Sequence, residues 1–507
     1  MARQMLTLSH FNGMKSISWK LIVALAVFAL IAGTERISAQ TANTRSETET
    51  QALQMVDVIN KGDTVAAGEL VRAHFSERSQ ESLTNEIVGL FQKIRTQSGG
   101  LDVEKVLPPE MRGQANLLLR TRKGNHFVRF VVFSREGKLT DFFPLAATDP
   151  KGDISSDWPT NKVSRWRMRR EIERHAEFAA SRDLFSGVVL VGEGPGIWFQ
   201  KAYGMAEKSF QTPNRVNTKF NLGSLDKMFT AVAIAQLVAE HKLLFNDKLA
   251  DVLPDYPNPT VAGKVTIHQL LTHTSGLGEV LKPEMREKKK KYAALRDYLP
   301  LFVNDPLQFE PGSKWSYSNA GYIVLGLVIE KISRQSYFDY VREQIFMPAG
   351  MNDTGCFELD QMVPNLAVGY GRFEDDILGI GPRRNNGVFL GYKGNSAGGG
   401  YSTAPDLFRF ARALQVNRLL SAELTEKVTA GKVQAAGDWY GYGFWQWKRY
   451  SQCDIRGNSG GGASSGIDCE LHIFWNGPYT VVVMSNYDAP GGTTLARAIS
   501  EFLSRQM

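Results

Sequence analysis

Residues 221–244 read NLGSLDKMFTAVAIAQLVAEHKLL, and this stretch decides the fold. Apolar residues recur from Met228 to Val238 at the spacing of a helix face. Ser224 and Lys227 stand three residues apart at its start, so they share one face. A lysine amine on that face can take the serine's proton when burial or a neighbouring positive charge leaves it neutral. The pair predicts a nucleophile and its base, although a helix cap beside a surface lysine gives the same pattern.

A second motif, EPGSKWSYSNAGYIVLGLVIEKI, occupies residues 310–332. Tyr317 and Asn319 lie in a predicted turn just before a strongly apolar helix. A tyrosine can relay a proton, and an asparagine can hold a substrate amide. The alternative is a buried aromatic residue next to an asparagine that caps the helix.

The third motif is CDIRGNSGGGASSGIDCEL, residues 453–471, where a predicted strand runs into Asn458, Ser459 and Gly460. Glycines here let a substrate lie against the strand and leave backbone N–H groups free to bind an oxyanion. Taken by itself, the segment is also an ordinary hairpin.

In this order, the three motifs resemble those of the serine β-lactamase and D-alanyl-D-alanine peptidase family, and most of all the branch similar to class C β-lactamases and their esterase and D-aminopeptidase relatives. The resemblance covers about Arg169 to Ser504. It is supported by LLTHTSGL (270–277), IFMPAGMNDTGC (345–356) and SAGGGYSTAPDLFRFARAL (396–414). It implies an α+β fold, an α/β sandwich whose antiparallel sheet is flanked by helices and carries a second, mostly helical lobe.

The resemblance also implies a two-step acyl transfer on a small-molecule or peptide substrate. Ser224 would attack a carbonyl, Lys227 and Tyr317 would move the protons, and water would release the acyl group. The residues implied to bind substrate or form the oxyanion hole are Asn319, Asn458, Ser459, Gly460 and Gly461. No metal and no organic cofactor is implied, and His273 would be a structural loop residue.

The third motif departs from the family at Asn458, where relatives carry lysine or histidine. An asparagine cannot supply the positive charge that helps to hold a substrate carboxylate. Penicillins and peptides with a free D-alanine end are therefore less favoured than a neutral ester or amide. Arg456 lies on the same face of the strand, about 6 to 7 Å away, and either replaces that charge or is an ordinary surface arginine.

Two functional hypotheses follow. The first is a serine hydrolase that acts on an ester, a D-residue-containing peptide or a lactam, with deacylation through Tyr317 and Lys227 because no separate glutamate is assignable as the base. The second is a non-catalytic, penicillin-recognising sensor or binding protein that is acylated without turnover. An inert scaffold is disfavoured by the intact nucleophile pair.

The first 39 residues are typical of a secretory signal peptide, with an apolar run at 21–32 and small residues ending at Ala39. That run is shorter than the roughly 20 residues a bilayer span needs, so an uncleaved anchor helix is the weaker alternative. We therefore expect an exported protein, periplasmic or secreted, with no stable membrane span after cleavage.

Residues 46–145 show helical spacing and then β-rich runs, which predicts a small α+β domain, similar to cystatin-like or NTF2-like modules, with an unknown partner. Residues 146–160 read as a polar linker, and 161–507 as the hydrolase domain.

The formal charge is +7, of which the signal region contributes +3, so no nucleic-acid partner is expected. Three cysteines leave at least one unpaired within the chain, and a Cys453–Cys469 bridge is an open possibility.

Overall fold

The structure is a computed structural model that describes residues 46–75, 77–107, 109, 113–135, 137–145, 157–372, 376, 378–448, 450, 453–462 and 465–507. The predicted signal peptide, 1–39, lies outside the described residues, as does the predicted linker from 146 to 156. Within the described ranges, no helix combines the length and the apolar character that a membrane crossing requires.

The N-terminal part consists of three helices followed by four strands. The helices are α1 (Glu47–Lys61), α2 (Thr64–His74) and α3 (Glu77–Ser98), and the strands are β1 (Leu101–Leu107), β2 (Gln114–Thr121), β3 (Phe127–Arg135) and β4 (Lys138–Leu145). The strands pair antiparallel in chain order and share one hydrophobic cluster with the helices. Leu378, from the C-terminal part, is fully buried in that cluster, and its N–H donates to Gln97 Oε1 at 3.1 Å. The limits 46–145, the cystatin-like or NTF2-like relation and the linker remain predictions.

The C-terminal part is built on one antiparallel sheet of eight strands. Its strands are, in spatial order, β13 (Val433–Ala435), β14 (Asp438–Tyr440), β15 (Trp445–Trp447), β16 (Ile455–Gly462), β17 (Ile467–Phe474), β18 (Tyr479–Ser485), β5 (Gly187–Glu193) and β6 (Gly196–Tyr203). β18 hydrogen-bonds to β5, so the last strand of the chain closes against the first strand of this part. The predicted α+β class with an antiparallel sheet is confirmed.

Helices cover both faces of this sheet. On one face, α4 (Arg165–Ser181) and α15 (Gly491–Gln506) share a hydrophobic cluster with the sheet. On the other, α5 (Asp226–Ala239) lies in a larger cluster with the helical lobe. The remaining helices are α6 (Leu249–Val252), α7 (Pro259–Lys264), α8 (Ile267–Leu271), α9 (Pro283–Glu287), α10 (Asn319–Ser333), α11 (Tyr337–Val341), α12 (Met347–Ala349), α13 (Ala404–Gln415) and α14 (Ala422–Thr429).

Short strands and turns complete the chain. The two-stranded pairs are β7 (Met205–Glu207) with β8 (Thr212–Pro213), β9 (Phe220–Asn221) with β12 (Tyr401–Ser402), and β10 (Tyr370–Gly371) with β11 (Arg384–Asn385). The 3-10 turns span Gly223–Leu225, Lys289–Lys291, Leu295–Leu301 and Asn386–Val388, and Arg342–Phe346 forms a π-helical turn.

All three cysteines, Cys356, Cys453 and Cys469, are free thiols, which decides against the bridge left open above. The register of β16 and β17 gives the reason, because Cys469 pairs with Gly460 and not with a residue near Cys453. β16 begins at Ile455, and the five steps of strand from there to Gly460 alone span about 17 Å at the usual rise. A disulfide needs the two Cα atoms within about 7 Å.

Candidate active site

Ser224 lies in the 3-10 turn just ahead of α5, where β16 passes very close to the chain. A Cβ atom on Gly223 would lie 2.6 Å from the backbone nitrogen of Gly461, and Gly223 has a φ of +52°. Only glycine fits both the close approach and the positive φ without strain. The glycine therefore allows the strand and the turn that carries Ser224 to meet.

Lys227 is fully buried one turn further along, and its Nζ lies 3.2 Å from Ser224 Oγ. The amine also donates to Asn319 Oδ1 at 2.7 Å and to the carbonyl oxygen of Ala397. Burial lowers the pKa of Lys227 to about 7, against the opposing effect of Glu279 and Asp226. A neutral amine has two protons, which these two acceptors take, and its lone pair is then left for the serine proton.

The Tyr317 hydroxyl donates to Ser224 Oγ at 2.6 Å. Burial raises the pKa of Tyr317 well above its usual value, so the phenol stays protonated at neutral pH. His273 packs on the ring with centroids 4.4 Å apart, and its Nδ1 accepts the N–H of Ser318 at 3.1 Å. Burial lowers the pKa of His273, so the imidazole is neutral and holds the tyrosine turn.

Ser224 and Gly461, the two residues expected to supply the N–H groups of an oxyanion hole, both line the same cavity. A Cβ atom on Gly460 would lie 1.9 Å from the carbonyl oxygen of Leu222 and 2.9 Å from Ser224 N, so this position also excludes any larger residue. Ser459 is half-buried on the opposite side of the strand from Asn458. The positions expected for an oxyanion hole are therefore adjacent to Ser224.

Asn458 has a different task from the predicted substrate contact. Its side chain is buried, donates through Nδ2 to the carbonyl oxygens of Ser224 at 3.2 Å and Gly443 at 2.9 Å, and accepts the N–H of Ser459 through Oδ1 at 2.8 Å. Asn458 is not among the residues that line the cavity at Ser224. Asn458 thus ties β16 to the turn that carries Ser224.

Arg456 is neither the substitute cation nor a surface residue. It is buried, and its guanidinium donates to Glu426, Asp454 and Thr429. It shares a strand face with Asn458, as the two-residue period predicts, but at Arg456 that face contacts α14 through Glu426 and Thr429. All of its charge is therefore used in structural ion pairs.

Glu279 is a residue of this centre that the sequence reasoning missed. Its Oε2 accepts Asn319 Nδ2 at 2.8 Å, and its Oε1 accepts the N–H groups of Val280 at 2.6 Å and Leu281 at 3.1 Å. The only signal was an acidic residue two positions after LLTHTSGL. Nothing in the sequence indicated that this side chain folds back onto a residue 40 positions away.

A cavity of about 240 Å³ opens at Ser224, with Asn319 and Gly461 also in its wall. The wall is mainly apolar and aromatic, and its larger members are Val280, Leu281, Met285, Tyr298, Phe357, Leu359, Leu366, Phe389, Leu390, Tyr392, Tyr401 and Ile467. Two of its members carry a charge, Glu358 and Lys393, which pair with each other at 3.7 Å. Five of the predicted site residues are not part of this wall: Lys227, Tyr317, Asn458, Ser459 and Gly460.

The part of the chain with described coordinates contains no group of three or more His, Cys, Asp or Glu side chains placed to hold a metal ion.

Comparison with known proteins agrees with this architecture. The beta-lactamase family model matches residues 171–504. Penicillin-binding protein 4* of Bacillus subtilis is 33% identical over 287 residues, or 54% of this chain and 62% of that protein, so the chain spans less than two thirds of that relative's length. The structure of a penicillin binding protein from Bacillus halodurans is 33% identical, with a TM-score of 0.58, and covers 64% of this chain and 98% of its own.

A more distant structure is that of the D-amino acid amidase from Ochrobactrum anthropi SV3 with D-phenylalanine. It is 22% identical, with a TM-score of 0.55, and covers 67% of this chain and 98% of its own. At this identity, the likeness concerns the fold alone.

Proposed function

This chain belongs to the beta-lactamase family, and from that premise we propose that it is a serine hydrolase that forms an acyl-enzyme on Ser224. The observation that carries the proposal is the set of contacts of Lys227. Two acceptors, Asn319 Oδ1 and the Ala397 carbonyl, match the two protons of a neutral amine, and Ser224 Oγ lies at its third position. An amine held in this way is a proton acceptor at neutral pH.

The reaction proceeds in two steps. Ser224 Oγ attacks the substrate carbonyl while its proton passes to Lys227 Nζ, and the oxyanion binds to the N–H groups of Ser224 and Gly461. The leaving group takes the proton back through Tyr317, and the bond to it breaks. Water then attacks the ester carbonyl while its proton passes through the Tyr317 hydroxyl to Lys227. The bond to Ser224 Oγ breaks as that oxygen takes the proton back, which releases the acid and restores the serine.

The substrate is a neutral ester or amide with an apolar acyl group. The cavity wall is mainly apolar, and its one lysine is paired with Glu358. Asn458 brings no positive charge, and Arg456 is held by carboxylates. A substrate carboxylate would therefore lose water without gaining a cation, which is costly. An N-acylated D-amino acid amide is a neutral substrate of this kind, and the D-amino acid amidase has the same fold.

A substrate panel tests this proposal. Protein from Gln40 onward is incubated with a p-nitrophenyl ester of an aromatic acid, N-acetyl-D-phenylalanine amide, a D-alanyl-D-alanine peptide and nitrocefin, beside a Ser224→Ala control. We expect serine-dependent cleavage of the ester or the amide and at least tenfold slower cleavage of the two carboxylate substrates. A stable adduct without turnover would instead support the sensor hypothesis, and preference for the carboxylate substrates would contradict the argument from charge. Export through the predicted signal peptide belongs to the same proposal.

A further inference from the structure

We propose that Glu279 is a positioning residue that orients Asn319 and, through it, tunes the base Lys227. The inference rests on the proposed function, in which Lys227 takes the proton of Ser224. It concerns a carboxylate that does not touch the nucleophile, and it assigns that carboxylate a part in the reaction.

The first step is a continuous line of hydrogen bonds. Glu279 Oε2 accepts from Asn319 Nδ2 at 2.8 Å, and Asn319 Oδ1 accepts from Lys227 Nζ at 2.7 Å. An ionised carboxylate can only accept, so it fixes which end of the asparagine amide faces it. The oxygen of Asn319 must then face the lysine.

The second step concerns the other oxygen of Glu279. Its Oε1 accepts the N–H groups of Val280 and Leu281, and both of these residues line the cavity. Three donors therefore hold the carboxylate in one rotamer. The same contacts anchor a stretch of the cavity wall to Asn319.

The third step is that a glutamine cannot replace this glutamate. Its single oxygen satisfies either the two loop N–H groups or Asn319, and its NH₂ group then faces another donor. If the amide of Asn319 turns to relieve this conflict, its Nδ2 faces the lysine amine. A donor then stands where Lys227 needs an acceptor, and the lone pair is no longer directed at Ser224.

The fourth step is electrostatic. The charged or titratable groups around Lys227 are Glu279, Asp226, His273, Tyr317 and Tyr322. Asp226 accepts the N–H of Gly400 on the other side of the helix start, and burial raises its pKa to about 7. His273 is neutral, and the two tyrosines present ring faces at 4.8 and 5.4 Å. Negative charge on the Asn319 side therefore comes from Glu279.

Burial and Glu279 act in opposite directions on the base. Burial lowers the pKa of Lys227, and the Glu279 carboxylate raises it. Burial also raises the pKa of Glu279 itself, while its three donors and Lys227 oppose that change. Loss of the carboxylate charge therefore lowers the pKa of Lys227 and leaves the amine neutral at lower pH.

The kinetic test compares Glu279→Gln with the parent protein in the pH profile of kcat/KM for a p-nitrophenyl ester. We expect the midpoint of the acid limb to move to lower pH by about one unit, within the range of shifts that a neighbouring opposite charge causes. The plateau should fall about tenfold or more, because Asn319 is misdirected. Glu423→Gln is the charge-matched control, since Glu423 is exposed on α14 and is not part of the cavity wall, and its midpoint should not move. An unmoved midpoint in Glu279→Gln would overturn the proposal.

A second measurement does not require turnover. Thermal unfolding of Glu279→Gln, Lys227→Met and the double variant forms a double-mutant cycle, which isolates the coupling between the two side chains. The proposal predicts non-additive changes that are larger at pH 6, where Lys227 is charged, than at pH 9. Additive changes at both pH values would overturn the link between the two residues. An inactive protein that still shows this coupling would refute the hydrolase proposal while it leaves the link intact.

Discussion

Substitution of Asn458 by aspartate tests the conclusion that this side chain is a structural tie. The two side chains have almost the same shape, but aspartate cannot donate. Asn458 Nδ2 donates to the carbonyl oxygens of Ser224 and Gly443, so the variant places a carboxylate oxygen 2.9 Å from the Gly443 oxygen. The bond from Ser459 N–H is kept, because it ends on an oxygen in both residues.

The expected loss follows from these contacts. Each lost hydrogen bond costs about 1 to 1.5 kcal/mol of unfolding free energy, and two are lost at a buried position. The new carboxylate also repels the carbonyl oxygens of Ser224 and Gly443, so the total loss of unfolding free energy is about 3 kcal/mol. Residues 171–504 have an unfolding entropy of about 0.7 kcal/mol per kelvin, which converts this loss to a melting temperature lower by about 4 °C.

The assay is thermal unfolding of the parent, Asn458→Asp and Ser459→Ala between pH 5 and 9. Ser459 is half-buried on the opposite strand face, so its variant should stay within about 0.5 kcal/mol of the parent protein. The new carboxyl group should have a raised pKa in the folded state, and the variant should therefore lose stability as pH rises through that value. A parent-like melting temperature combined with a raised KM would refute the reasoning, because Asn458 would then face the substrate.

The other predictions concern the base, the phenol and the contact between the two parts of the chain. Hydrolysis by the parent protein should rise with pH, with a midpoint near pH 7, because only neutral Lys227 accepts the proton; a flat pH–rate profile between pH 5 and 9 would contradict this. Tyr317→Phe should lower kcat by about 10² or more with little change in KM, since the hydroxyl contacts Ser224 Oγ, and an unchanged kcat would exclude Tyr317 from proton transfer. Leu378→Ala should cost about 2 to 5 kcal/mol in unfolding by denaturant, since Leu378 is fully buried in the N-terminal cluster. Met362→Ala, at a 97% exposed position, is its control, and equal stability of the two variants would argue against the contact.

The sequence was sufficient for the fold and for the meeting of Ser224, Lys227, Tyr317 and Asn319. Their motifs lie far apart in the chain, but their order and spacing belong to a family whose fold brings them together. The apolar character of 228–238 also predicted a helix that faces the core, and α5 is buried there. A family pattern therefore carries information on contacts that no local rule supplies.

The sequence did not determine which way side chains point near the strand edge. The alternation of side chains along a strand predicted that Arg456 and Asn458 share one face. Only the packing shows that this face contacts α14 and the turn that carries Ser224. The same limit applies to Cys453 and Cys469, whose separation depends on the register of β16 and β17. Glu279 was missed because its role depends on a loop conformation that brings its carboxylate to Asn319.

The most direct test of the central claim is the intact mass of the protein during reaction with a p-nitrophenyl ester, followed by peptide mapping. The account predicts a mass increase of one acyl group that appears with the release of p-nitrophenol, decays as turnover proceeds, and maps to the peptide that contains Ser224. Ser224→Ala should show neither the adduct nor the release. An adduct on another residue, or equal release by Ser224→Ala, would contradict the account.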